Sequence, residues 1–178
     1  MTDDDQRWAQ HRTADQEHWN GETPEALLSR LGKAPEVGSA MLDVGAALRG
    51  AATGRMLELV ALRVSAKRDC AYTWRGHCRI ALKSVEAPMT REEIARIAAG
   101  PEALVGTDRL VLEAVDEILG RGRLSEATGR SLGDRELVLT IAVCFYETLA
   151  TVMHGVEPDA QSVIGLETPR VAANRGWR

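Results

Sequence analysis

The stretch from Glu58 to Leu82, ELVALRVSAKRDCAYTWRGHCRIAL, decides the reading of this chain. Two helical patterns meet in it. Leu57, Val60, Ala61 and Val64 recur at the three- and four-residue spacing of one helix face, which predicts a helix over about 54–66. The polar patch Lys67-Arg68-Asp69 interrupts that pattern, and a second helix is expected from Cys70 to about Lys83. So short a link between two helices predicts an antiparallel hairpin.

Positions seven apart on an α-helix share a face two turns apart, so Cys70 and His77 lie on one side, with Thr73 and Trp74 between them. Glu58, on the preceding helix, can face this stripe across the hairpin. A carboxylate, a thiol and an imidazole would then surround one small space. The helix macrodipole favours a thiolate at a helix N-terminus; Lys67 and Arg68 would add to that effect and Asp69 would oppose it. A histidine beside a carboxylate suits general acid/base work near neutral pH. The plainer alternative is an inert buried cysteine and a structural histidine, and spacing alone does not separate the two.

The rest of the chain is also helical in pattern. Ala, Leu, Glu and Arg abound while aromatics make up only 4% of the 178 residues, a mix that favours helix over strand and predicts an all-α protein. Thr23-Pro24 reads as the start of a helix carrying Leu27, Leu28 and Leu31, ended by Gly32. Pro35 opens the next, with Val37, Met41, Val44 and Leu48 expected inward. Thr90 and Glu93 form a capping box ahead of Ile94 and Ile97. Asp108 to Leu119 and a short helix capped by Ser125 follow. The longest apolar stretch, Arg135 to Met153, is apolar beyond one face and predicts burial between helices or at a subunit contact. About seven to eight helices should form one domain over 23–158, between a polar arm, 1–22, and an irregular tail, 159–178.

A net charge of −4 argues against general affinity for nucleic acid or anionic membrane, and no apolar run is read as approaching the roughly 18–20 residues that span a bilayer. The acidic start, MTDDDQRWAQ, lacks a signal-peptide h-region, and three cysteines without a secretion signal are expected to be free thiols in the cytoplasm. The four histidines show no metal-ligand spacing and no Gly-rich phosphate loop is present, so neither a metal nor another cofactor is expected.

The 58–82 stretch resembles the central motif of the carboxymuconolactone decarboxylase and AhpD-like family, in which a Glu-bearing helix with "LRV" leads to Cys-x-Tyr-x-Trp-x-x-His. Here that motif is Cys70-Ala71-Tyr72-Thr73-Trp74-Arg75-Gly76-His77, and Glu58 sits at the family spacing. The MTREEIARI segment and the late ELVLTIAVCFYETLATVMHGVEP segment are similar to further family elements. The resemblance covers about residues 24–158 and implies an AhpD-like helical fold and a homo-oligomer, trimer or hexamer. It departs from the AhpD peroxidases at Thr73, where they carry the second cysteine of Cys-x-x-Cys; many other relatives carry Glu there. Cys78 does not restore the pair, since eight residues along a helix is about 12 Å of rise.

The resemblance implies a lyase- or isomerase-type enzyme that decarboxylates or moves a proton on a small cyclic carboxylate or lactone. His77 would be the general acid/base, Glu58 its partner and Cys70 a lining residue. Arg63 is a candidate for the substrate carboxylate, though an arginine within a helix is more often in a structural ion pair. Tyr72, Thr73 and Trp74 are candidates for substrate-binding walls. A thiol-dependent peroxidase using Cys70 is the second reading, and a non-catalytic helical assembly protein the third.

Overall fold

In a computed structural model, residues 25–84 and 88–156 are described. The arm over 1–22, the Thr23-Pro24 helix start and the tail over 159–178 lie outside the described residues. Among the described residues the chain is all-α, with eight α-helices and two 3-10 turns. The helices fall into two compact units, one ending at Thr53 and one beginning at Gly54.

The first unit holds α1 (Glu25–Leu31) and α2 (Pro35–Ala51), with proline opening α2 at its first turn. Leu27, Leu28 and Leu31 are buried on α1, as their spacing predicts. On α2 Leu48 is buried as expected and Met41 is half-buried, but the two valines expected inward face out. Val37 is 70% exposed and Val44 40%, while Gly38, Ser39, Leu42, Gly45 and Leu48 are buried. A Cβ on Gly38 would lie 2.7 Å from the Leu31 carbonyl oxygen. The bare backbone therefore admits α1 at close range, and the small-residue stripe faces inward in place of the β-branched one.

The second unit is built around α3 (Gly54–Lys67), which packs against α4 (Ala71–Lys83), α5 (Arg91–Ala99), α6 (Gly106–Arg121) and α8 (Glu136–Met153). Every residue of α3 from Met56 to Ala66 is buried, so burial extends from its apolar stripe to the whole circumference, Glu58, Arg63 and Ser65 included. The short α7 (Glu126–Leu132) and a 3-10 turn (Gly133–Arg135) lead into α8. The expected caps form. Thr90 and Glu93 make the reciprocal capping box of α5, and the Ser125 hydroxyl accepts from the Thr128 amide at the start of α7. Glu117 adds to the latter by accepting from the Ser125 amide and hydroxyl at 2.6 and 3.0 Å.

Helix α8 is one-sided. Leu139, Ala142, Val143, Tyr146, Leu149 and Met153 are in the core, but Leu137 is 68% exposed and Ile141 41%. Contrary to the sequence expectation, the helical stretch Glu126–Met153 is long and apolar enough to cross a membrane by length and composition, with a mean hydropathy of 1.6 in its best window. About a third of that apolar stretch is buried against the other helices.

Candidate functional site

The α3–α4 hairpin is set by backbone chemistry at its corner. The Cys70 amide donates to the Ser65 carbonyl at 3.0 Å and the Asp69 amide to the Ala66 carbonyl at 3.4 Å. These are the paired bonds of a Schellman motif, with Asp69 in the left-handed position at φ 49°. Asp69 is the only non-glycine residue with positive φ among the described residues. Glycine usually takes this place; a short polar side chain tolerates it at modest cost. The motif ends α3 and at once makes Cys70 the N-cap of α4, whose carbonyl accepts from the Trp74 amide at 3.0 Å.

A helix buried on all sides has to pair its polar side chains, because an isolated buried charge costs several kcal/mol. Glu58 and Arg63 are the two charged residues inside α3, and each has a partner. Glu58 Oε2 lies 2.9 Å from His77 Nδ1, with the two side chains 8% and 6% exposed. The His77 ring in turn meets Tyr146 of α8 edge to face, centroids 5.1 Å apart and planes at 89°. A carboxylate from α3 and an aromatic ring from α8 thus fix both the position and the plane of an imidazole on α4. With the ionised carboxylate accepting from Nδ1–H, the neutral ring keeps its lone pair on Nε2.

Cys70 is 1% exposed at the beginning of the same helix, about 10 Å of helix rise from His77. Its sulfur is shielded from bulk solvent, which does not suit the open, reactive thiol that its N-terminal placement suggested. Thr73, one turn on, ties the corner together. The Ser65 hydroxyl lies 2.6 Å from the Ala61 carbonyl and 2.8 Å from Thr73 Oγ1, and the Thr73 hydroxyl donates to the Cys70 carbonyl at 3.3 Å. Trp74, 1% exposed, and Tyr72, 7%, pack in the core.

Arg63 belongs to a different set of contacts. Its Nε and Nη2 donate to the two carboxylate oxygens of Asp116 on α6 at 2.8 and 2.6 Å, and Nη1 donates to the Ile97 and Ala98 carbonyls at the end of α5. The guanidinium therefore clamps α3 to α5 and α6, the structural ion pair that an arginine within a helix more often makes. Lys67 joins Asp116 at 3.6 Å. Arg68 pairs with Glu147 of α8.

The other cysteines differ in character. Cys78 is fully buried, and burial together with the nearby Glu58 charge pushes its thiol up to about 12, partly offset by Arg91. Cys144 is exposed on α8. Among the described residues no three His, Cys, Asp or Glu side chains are grouped to hold a metal ion. Sequence reasoning missed Tyr146 and Ser65. Tyr146 sits on a helix 69 positions after His77 in the numbering, and no local pattern ties the two together.

Residues 35–117 match the model of the carboxymuconolactone decarboxylase family, a span that contains Glu58, Cys70 and His77 but ends before Tyr146. No curated protein and no solved structure matches the chain significantly.

Proposed function

From the premise that this chain belongs to the carboxymuconolactone decarboxylase family, we propose that it is a lyase- or isomerase-type enzyme acting on a small cyclic carboxylate or lactone, with His77 as its general acid/base. The observation that carries the reading is the buried Glu58–His77 contact at 2.9 Å. A carboxylate on Nδ1 makes Nε2 the ring atom that exchanges a proton with substrate, and it stabilises the positive charge the ring takes on.

In a decarboxylation the C–CO2 bond breaks and its electron pair moves into the adjacent carbonyl system of the lactone. His77, protonated at Nε2 from water before the step, then donates that proton to the carbon and is left neutral. In an isomerisation neutral His77 first removes the proton and later returns it at a different carbon. The isomerisation balances within the substrate and one imidazole, the decarboxylation takes up one proton from water for each CO2 released, and neither requires the Cys70 thiol. The dithiol route is supported less well, because Thr73 occupies the position of a second thiol and the Cys78 thiol is held in its unreactive neutral form.

The test is release of CO2 from carboxymuconolactone, or deuterium exchange into related lactones followed by NMR, with wild type, Glu58→Gln and His77→Asn. The expected result is turnover by wild type and a loss of about 10²–10⁴-fold in each variant, the usual worth of a positioned acid/base. Peroxide consumption with a thiol reductant that depends on Cys70 and survives Glu58→Gln would overturn the assignment.

A further inference from the structure

His77 is held by side chains from two different helices, and the two constrain different things. Glu58 on α3 fixes one atom, Nδ1, at 2.9 Å. A hydrogen bond weakens steeply only when its angle falls below about 120°, and the χ2 torsion of a histidine is broad. The carboxylate alone therefore selects the nitrogen that faces it but lets the ring swing, and any swing displaces Nε2 on the far side. Tyr146 on α8 closes that freedom. Its ring stands perpendicular to the imidazole, planes at 89° and centroids 5.1 Å apart, so a swing of the imidazole meets the tyrosine ring.

Tyr146 is itself braced. It is buried, and Phe145 packs on it edge to face, centroids 5.1 Å apart and planes at 74°. The next residue, Glu147, pairs with Arg68. The turn of α8 that carries Tyr146 is thereby tied to the corner from which α4, and His77 with it, departs. Apolar filling alone would be met here by a large aliphatic side chain; a ring perpendicular to the imidazole adds orientation. We infer that Tyr146 is a positioning residue that fixes the plane of His77 and so determines the face of the substrate carbon to which Nε2 delivers its proton. The inference rests on the acid/base reading of His77 given above. In D2O the ring takes its deuteron from solvent, the C–D bond forms as the Nε2–D bond breaks, and the imidazole is left neutral. A ring held in one plane puts that deuteron on one face of a planar carbon, and a swinging ring puts it on both.

Two measurements on the full chain test it, with Tyr146→Phe and Tyr146→Leu beside wild type, and Tyr146→Met where circular dichroism shows that leucine unfolds the chain. The first is NMR of histidine-labelled protein without substrate, His77 being assigned among the four histidines through His77→Asn. The order parameters of its ring C–H bonds should fall in Tyr146→Leu and hold in Tyr146→Phe, with the Nδ1–H signal retained in both. The second is turnover in D2O, with the configuration at the deuterated carbon read after chiral derivatisation. Tyr146→Phe should give a single configuration and Tyr146→Leu both. Relative to Tyr146→Phe, Tyr146→Leu should lose about 10²-fold in kcat with KM little changed, the loss that follows a misplacement of about 1 Å. Unaltered ring order parameters in Tyr146→Leu would overturn the inference. So would mixed configurations from Tyr146→Phe, which would assign the effect to the phenol hydroxyl. If wild type turns nothing over, the acid/base reading fails, and the order parameters still decide whether Tyr146 holds the ring.

Discussion

His77 Nδ1 and Glu58 Oε2 stand 2.9 Å apart across the α3–α4 interface, and this contact joins the family's histidine to the central helix of the fold. It places two demands on one pair: it satisfies a buried carboxylate, and it fixes which ring nitrogen faces away from Glu58. Glu58→Gln keeps the shape and a hydrogen-bonding group, so folding should survive while acid/base activity falls. Glu58→Ala removes the partner as well and should also lower the midpoint of thermal unfolding. Activity and unfolding measured on both variants separate the chemical role from the structural one.

The Arg63–Asp116 clamp should be a stability element with no direct share in turnover. Arg63→Ala strips the Ile97 and Ala98 carbonyls of their buried donor and leaves Asp116 only Lys67 as a partner, and should cost about 1–3 kcal/mol in urea unfolding. A near-neutral Arg63→Ala would show that α3 is not held to α5 and α6 through this guanidinium.

Alkaline pH should destabilise the fold through Cys78. Its thiol rises from 9.0 to about 12 in the folded chain, so the folded state resists forming a thiolate that the unfolded chain forms readily. That contribution is fully present below about pH 9 and is lost as pH rises toward 12. Urea unfolding at pH 8 and pH 11 should show the loss, and Cys78→Ala should reduce the difference. In maleimide labelling at pH 7.5, a condition of about one unit below an ordinary thiol's titration, Cys144 should react first and buried Cys78 only on unfolding.

Acid acts through two caps. Glu93 is held below the usual carboxylate range by the Thr90 amide and then by Arg55, and Glu117 by the Ser125 amide and then by the Thr128 and Ser125 hydroxyls. A depressed carboxylate contributes stability that is present above its unfolded titration range and is lost as pH falls through its folded one. Unfolding followed from pH 7 to pH 3 should therefore show a decline that Glu93→Gln and Glu117→Gln each flatten.

The corner between α3 and α4 offers a stabilising change. Asp69 holds φ at 49°, where glycine has no Cβ to accommodate. Asp69→Gly should leave the thermal midpoint equal or raise it by a few degrees, a gain on the order of 1 kcal/mol, whereas Asp69→Val should lower it. Equal losses in both variants would mean that the aspartate side chain, rather than the backbone angle, holds the turn.

Local chemistry made much of this protein legible in its sequence. The 3.6-residue periodicity of α3 and α4, the Thr90–Glu93 box, the Ser125 cap and the Gly32 stop all act within one or two helical turns, and these elements lie where their patterns predict. The Glu58–His77 pairing was accessible for the same reason, because a short corner between two periodic helices leaves few ways for their faces to meet. What required the tertiary structure were choices among faces and partners. The ion pair of Arg63 with Asp116, 53 positions on, is a contact that no local pattern points to. The valines of α2 are apolar enough to be inside, but Gly38 let Leu31 come closer and turned the small-residue stripe inward. Tyr146 reaches His77 only because α8 packs on α3 and α4, a contact between residues distant in the chain that hydrophobic patterning does not encode. Periodicity specifies that a helix has an apolar side; which neighbour covers it depends on how the helices of each unit fill their core at once.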